Sequence, residues 1–265
     1  MAWNGIKQWF ANMIVSADDF NRIEENTLDN HERLNNIEEG PLTKILGRQV
    51  EWVEYILFNI SSFASPGINP QGLTYDGSNL WHADYNTKKI YKLNTSGTIL
   101  SSFNSPGPEP RGLAWDGSNL WHADNNTDKI YKLNTSGTIL SSFDSPGASP
   151  QGLAWDGSNL WHADFSTDKI YKLTTSGTIL SSFDSPGPAP TGLTWDGSNL
   201  WHADFSTDKI YKLTTSGTIL SSFDSPGPAP TGLTYGGGSL WNADNDTGKI
   251  YKMGAYSNLI LRAKN

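Results

Sequence analysis

Four histidines, His82, His122, His162 and His202, recur at intervals of forty residues, each inside the tetrapeptide W-H-A-D, with Asn242 in the fifth place. By residue type, a ring of imidazoles could bind a metal. The spacing argues otherwise, because equivalent residues of successive repeats stand too far apart to share one ion and each His would need further ligands from its own repeat. A structural role fits better. Each His sits on a buried strand, where the second-next Asp (Asp84, Asp124, Asp164 or Asp204) bonds to it or caps the following turn with Thr87, Thr127, Thr167 or Thr207. No metal site and no cofactor is expected.

Asp76, Asp116, Asp156 and Asp196 make a second ring of chemically capable groups. Each precedes Gly in a hairpin turn and Gly236 replaces the fifth, so turn chemistry accounts for them. Trp81, Trp121, Trp161, Trp201 and Trp241 read as core, large rings filling gaps between covered sheets. Catalysis needs one asymmetric constellation of base, orienting partner and charge-stabilising group. Nearly identical repeats do not supply one, and Glu109, the only glutamate among them, lies in a loop between prolines. The chain is therefore expected not to be an enzyme.

The elements that carry these residues follow from the period. Five units begin at Phe63, Phe103, Phe143, Phe183 and Phe223, and residues 143–182 differ from 183–222 only at Ala148/Pro188, Ser149/Ala189, Gln151/Thr191 and Ala154/Thr194. In the third unit four short strands are expected: a (152–155), b (159–164), c (169–173) and d (178–183). Asp156-Gly157 and Ser176-Gly177 supply tight turns, and Ser145-Pro146-Gly147 with Pro150 separates the units. Four strands per forty residues is the signature of a propeller blade. The expected fold is all-β, a five-bladed β-propeller of 40-residue, four-stranded blades, preceded by an N-terminal α-helical, short coiled-coil segment. Two segments compete for strand d of the fifth blade: Leu57 to Gly67, which copies the d strand and loop of later units, and Leu259 to Arg262. The first is favoured, because pairing the chain ends locks the ring.

The repeat P-x-G-L-x-W-D-G-S-N-L-W-H-A-D-x-x-T-x-K-I-Y-K-L resembles repeats of NHL-type, lactonase-type and glutaminyl-cyclotransferase-type propellers, over residues 63 to about 253. The resemblance implies the blade fold. It does not carry a site, since lactonase-like relatives place a Glu, Asn and Asp metal set in the channel and these repeats lack one.

The start of the chain has another character. Ser16-Ala17-Asp18-Asp19 is a variant capping box opening a helix to about Glu39, before Gly40-Pro41. Phe20, Ile23, Thr27, Asn30, Leu34 and Ile37 read as a short heptad seam with Thr27 and Asn30 polar, or else as one face of an amphipathic helix packed on its own propeller. The stretch from Trp3 through Val15-Ser16-Ala17-Asp18-Asp19-Phe20-Asn21-Arg22-Ile23 to Thr27 resembles the N-terminal segment of phage and prophage tail-fibre proteins. That resemblance implies attachment to other virion tail proteins, a homotrimer and a place on the virion tail, outside the cell without a signal peptide. The division expected is 1–50 for oligomerisation and attachment and 51–265 for the propeller.

Composition narrows the partners. A formal charge of −8, from 19 basic and 27 acidic side chains, disfavours nucleic acid and anionic membranes. No apolar run reaches the roughly 18 residues of a span, so no membrane insertion is expected. With no Cys, thiolate chemistry is excluded.

The units differ mainly in the d-to-a and b-to-c loops, which alternate strand direction places on one end. Tyr85, Phe165 and Phe205 there could stack on a sugar, with Gln71, Arg111 and Gln151 as hydrogen-bonding partners and Asn125 and Asn245 replacing the aromatic in the second and fifth units. The function this suggests is a non-enzymatic, lectin-like domain of a tail-fibre adhesin that binds a host cell-surface glycan. The alternatives are a purely structural or designed propeller without ligand and, third, a lactonase- or cyclotransferase-like enzyme.

Overall fold

The computed structural model describes residues 50–263. The helix, seam and attachment segment expected within 1–49 lie outside the described residues. The chain forms two units, Met1–Tyr55 with Ser257–Asn265, and Ile56–Tyr256. The second is the propeller.

Five four-stranded antiparallel sheets make the blades. In the third, strands a to d are Pro150–Trp155, Leu160–Asp164, Lys169–Leu173 and Ile179–Asp184. The turns use the expected glycines: Gly157 and Gly177 have φ of 97° and 88°. Strand a of each blade lies innermost, beside strand a of the blades before and after it, and the fifth lies beside the first. The ring is closed.

Closure is tight enough to fix residue type. A Cβ on Gly72 would overlap the backbone carbonyl oxygen of Arg111, one on Gly112 that of Gln151, and one on Gly152 that of Thr191. Gly192 and Gly232 complete the circle against Thr231 and Gln71. Only glycine permits five strands to meet so closely around the axis.

Between blades the packing repeats. Trp161, Ala163 and Ile170 of the third blade meet Leu193, Leu200, Tyr211 and Leu213 of the fourth. Strand b is buried on both faces, which explains its unbroken burial from Leu160 to Asp164. The seam between fifth and first blades uses the same chemistry, Trp241, Ala243 and Ile250 against Leu73, Leu80, Tyr91 and Leu93.

The fifth blade takes its strand d from before the first unit: Val50–Ala64 pairs with strand c, Lys249–Ala263. Phe63 stands 6.4 Å from Trp241, as Phe183 stands 6.2 Å from Trp161 within the third blade. The sequence copy at residues 57–67 therefore occupies the place it copies, and Leu259 to Arg262 instead continue strand c.

The glycine ring yields a contrast. Gly152→Ala should cost more than about 4 kcal/mol, the exceptional end for a single substitution, because backbone must move. Gly157→Ala meets open space and should cost only the roughly 1–2 kcal/mol of a left-handed non-glycine residue. Chemical denaturation of the two variants checks this ordering.

Candidate functional site

The recurring His does not face a ligand. His82 Nδ1 lies 3.2 Å from the carbonyl oxygen of Gly72, which can only accept, so Nδ1 carries the proton and Nε2 accepts from Ser65 Oγ at 2.9 Å. Asn242 repeats the pattern with an amide: its Nδ2 donates to Gly232 O at 3.2 Å and its Oδ1 accepts from Ser225 Oγ at 3.1 Å. Both ring nitrogens are committed in His82, His122 and His202. In His162, Nε2 bonds to Ser145 Oγ and Nδ1 is buried without a partner among the described residues.

The buried Asp two residues on ties the loops of the variable end together. Asp124 Oδ2 accepts from the amide of Glu109 in the d-to-a loop at 2.8 Å, and Oδ1 accepts from the amide of Thr127 in the b-to-c turn at 3.0 Å. Asp84, Asp164, Asp204 and Asp244 do the same in their own blades. Directly beside this, the amide of Asn125 donates to Glu109 O at 3.0 Å. The two variable loops of each blade thus share one end, as their alternating direction requires.

Strand a then aims one side chain per blade at the axis. Its register against strand b slips by one residue between Pro110 and Leu113, a bulge that turns the second residue of P-x-G-L toward the channel. Gln71, Arg111, Gln151, Thr191 and Thr231 accordingly line this mouth.

These five are not equivalent. Thr191 Oγ1 lies 2.9 Å from Ala203 O and from Pro230 O, and Thr231 Oγ1 lies 2.8 Å from Pro70 O and 3.0 Å from Ala243 O. Those hydroxyls latch neighbouring blades and project little. Arg111 Nη1, by contrast, donates to Gln71 Oε1 at 3.0 Å, across from the second blade to the first, and Gln71 Nε2 donates onward to Asn69 Oδ1. The guanidinium lies 5.0 Å from the centre of the Tyr85 ring, and its Nη2 is 3.8 Å from Glu109 Oε2. That oxygen accepts from Asn125 Nδ2 at 3.0 Å, and Asn125 Oδ1 accepts from Ser149 Oγ at 2.8 Å. One polar arc runs across three blades.

Burial pushes Arg111 below its ordinary pKa, opposed by Glu109, Tyr85 and Asp124. Its Nε is buried with no hydrogen-bond partner among the described residues, an arrangement that costs stability. The side chains of Arg111 and Glu109 remain 21% and 28% exposed, so both keep contact with solvent.

Of the residues singled out from sequence, Gln71, Tyr85, Arg111 and Asn125 come together in this arc, and Gln151 lines the same mouth. Phe165 and Phe205 stand 48% and 43% exposed on the b-to-c loops of the third and fourth blades, and Asn245 holds that position in the fifth, its amide bonded to Ala229 O. Tyr85 differs from the two Phe in having the Arg111 guanidinium over its ring. Sequence reasoning missed Glu109, Asn69 and Ser149 as partners, although Glu109's uniqueness among the repeats was a usable signal. The channel wall does not fit the Glu, Asn and Asp metal set of lactonase-like propellers: it offers amides, hydroxyls and a guanidinium, whose charge repels a cation. No cluster of three His, Cys, Asp or Glu stands together among the described residues.

The frame is thus a closed five-bladed propeller with one asymmetric, charged mouth. Residues 61–224 match the model of the virginiamycin B lyase family, and the chain belongs to that family. No curated protein matches it. Among solved structures, glutaminyl cyclase from Myxococcus xanthus is similar with a TM-score of 0.65 at 12% identity, over 80% of this chain and 99% of that one. A chain of a nidogen/laminin complex gives 0.51 at 24% identity, over 66% and 72%. Virginiamycin B lyase from Staphylococcus aureus gives 0.48 at 18% identity, over 75% and 99%. The likenesses to the first two show the propeller fold.

The family match corrects the expectation that the chain is not an enzyme, since the family is named for a lyase. The expectation failed because equal backbones were taken to mean equal blades, whereas the side chains at the mouth break the symmetry. The match does not extend to the N-terminal segment read as fibre-like.

The buried histidines make acid stability predictable. Burial drives His82, His122 and His202 down to about 4 from an ordinary 6.5, against the pull of Asp84, Asp124 and Asp204. Between these values the unfolded chain binds protons that the folded chain refuses, so stability is full above about 6.5 and falls as pH drops toward about 4. Replacing the three with Asn, the solution already used at position 242, should flatten the fall of melting temperature between pH 6.5 and 5. An unchanged slope would show that other groups govern it.

Proposed function

We propose that the chain is an enzyme of lyase type whose chemistry takes place at the loop-bearing mouth. The observation that carries this is the Glu109–Arg111–Asn125–Gln71 cluster, an asymmetric set on an otherwise repetitive frame; family membership supports it. Glu109 is the base. Its Oε2 is engaged by Asn125, and Oε1 bears no hydrogen bond among the described residues, leaving it to accept a proton from carbon beside a substrate carbonyl. The electron pair released forms a carbon–carbon double bond as the bond to a neighbouring heteroatom breaks, and the heteroatom leaves with its pair. Arg111 supplies N–H donors to the carbonyl oxygen on which negative charge develops. Its 3.8 Å separation from Glu109 exceeds a hydrogen bond, so neither group is locked by the other. Asp124 is a positioning residue, holding the Glu109 amide.

Virginiamycin B is the first substrate to test, with the new double bond followed by absorbance. Glu109→Gln should lower kcat about 10²–10⁴-fold, the usual worth of a general base, and Arg111→Gln about 10²–10³-fold, both at unchanged melting temperature. Turnover by Glu109→Gln at the wild-type rate contradicts the assignment.

A second reading is glycan recognition at this end, as in attachment of a virion-borne trimer to a host surface. The exposure of Phe165 and Phe205 favours it. Replacing both with Ala should then abolish cell attachment while the melting temperature stays unchanged, and undiminished attachment counts against it.

A further inference from the structure

The loop residue that follows W-H-A-D in one blade and the axial residue of the next blade are matched around the ring. The only Tyr at the first position, Tyr85, goes with the only Arg at the second, Arg111; both Asn, Asn125 and Asn245, go with a Gln, and both Phe, Phe165 and Phe205, go with a Thr. Strand b of each blade packs beside strand a of the next, so the two positions meet at one junction between blades. Three kinds of pair fill the five junctions, and two of them recur unchanged. Such matching is what contact between two side chains leaves in a sequence.

The first junction shows the contact. The Arg111 guanidinium lies over the Tyr85 ring, 5.0 Å from its centre. Its one hydrogen bond among the described residues runs from Nη1 to Gln71 Oε1 at 3.0 Å, and Nε is buried with none. A single bond leaves the planar group free to swing. The pull comes from Glu109, whose Oε2 is 3.8 Å from Nη2, and a guanidinium left beside a carboxylate closes on it as a paired fork. The face of Tyr85 opposes that swing, since the negative face of a ring attracts a cation most strongly where water is scarce. Tyr85 is itself anchored. Its amide donates to Asn69 O at 3.0 Å, the Asn69 amide donates to Asp84 Oδ2 at 3.1 Å, and Asn69 Oδ1 accepts from Gln71 Nε2. The first blade thus supplies both the ring and the amide oxygen that grip an arginine of the second.

We propose that Tyr85 is a positioning residue: its ring face holds the Arg111 guanidinium off the Glu109 carboxylate, so that the carboxylate stays a base and the guanidinium keeps donors for substrate. The catalytic consequence rests on the lyase reading; the placement of the guanidinium does not.

The test follows the Nε–H NMR signal of Arg111 in the full ¹⁵N-labelled chain, assigned with Arg111→Gln, beside turnover of virginiamycin B. In the wild type the signal should lie in the shielding of the ring. Tyr85→Phe keeps the face and should leave the signal in place, whereas Tyr85→Leu removes the face and should move the signal downfield. Phe165→Leu, at the same loop position beside a Thr, should not move it. In turnover, Tyr85→Leu should lower kcat about 10–10²-fold with KM within about twofold, because a misplaced group loses transition-state rather than ground-state stabilisation. Tyr85→Phe should stay within about threefold of the wild type. The proposal is overturned if the Arg111 signal is the same in Tyr85→Leu as in the wild type, or if Tyr85→Phe lowers kcat as far as Tyr85→Leu, which would give the role to the hydroxyl. A wild type that turns over no substrate defeats the lyase reading alone, and the Arg111 signal then decides on Tyr85 by itself.

Discussion

Five innermost strands can meet around one axis only if each presents a glycine to the backbone of the next. Gly72, Gly112, Gly152, Gly192 and Gly232 do so, each against the carbonyl of the following blade. The rest of the molecule depends on this contact. It sets the inward limit of every blade, and with the rings that fill the inter-blade gaps it fixes how far the loops at either end stand from the axis. It also divides the channel into two mouths. The residue before each glycine turns to one and the residues after it to the other, so a single backbone device determines which side chains can ever share a site.

On that frame chemistry arises from departures rather than from the repeat. The repeated polar groups are consumed in structure: His in a bond to a glycine carbonyl and a serine, Asp in clamping two loops, the turn Asp in holding amides, an indole and a lysine. Where the mouth carries Thr, the hydroxyl is spent as a latch between blades. Where it carries Gln, Arg and Gln, the side chains are long enough to leave the wall, and the one glutamate of the repeats stands beside the arginine. The same clamp that closes the loop in every blade holds the Glu109 amide in the second. A structural element common to all blades therefore holds, in one, the loop that carries the glutamate.

Much of this was legible in the sequence. The forty-residue period, Gly after Asp or Ser at the tight turns, and the copy of the d strand at residues 57–67 are local patterns, and local patterns survive folding. The variable end was legible too, because loop differences between near-identical units have only a few places to go. The cluster was not. Glu109 and Arg111 are two residues apart, Asn125 lies fourteen beyond Arg111 and Gln71 forty before it; only the bulge in strand a and the meeting of adjacent blades bring their polar atoms within reach.

The proposed catalytic arc is carried by a frame that would serve equally well one blade further on. It can be tested by moving the arc: Glu109→Asn, Arg111→Gln, Asn125→Tyr, Ser149→Glu, Gln151→Arg, Phe165→Asn and Ala189→Ser together rebuild it between the second and fourth blades, with Asp164 taking over the clamp. The measurement is lyase turnover by this chain beside the wild type and beside a chain carrying only the first two changes. The account predicts an inactive two-change chain and turnover restored to within about tenfold of wild type, roughly 1.4 kcal/mol, in the moved one. A moved chain that folds with the same melting temperature yet stays inactive, or a two-change chain that keeps its activity, would contradict it.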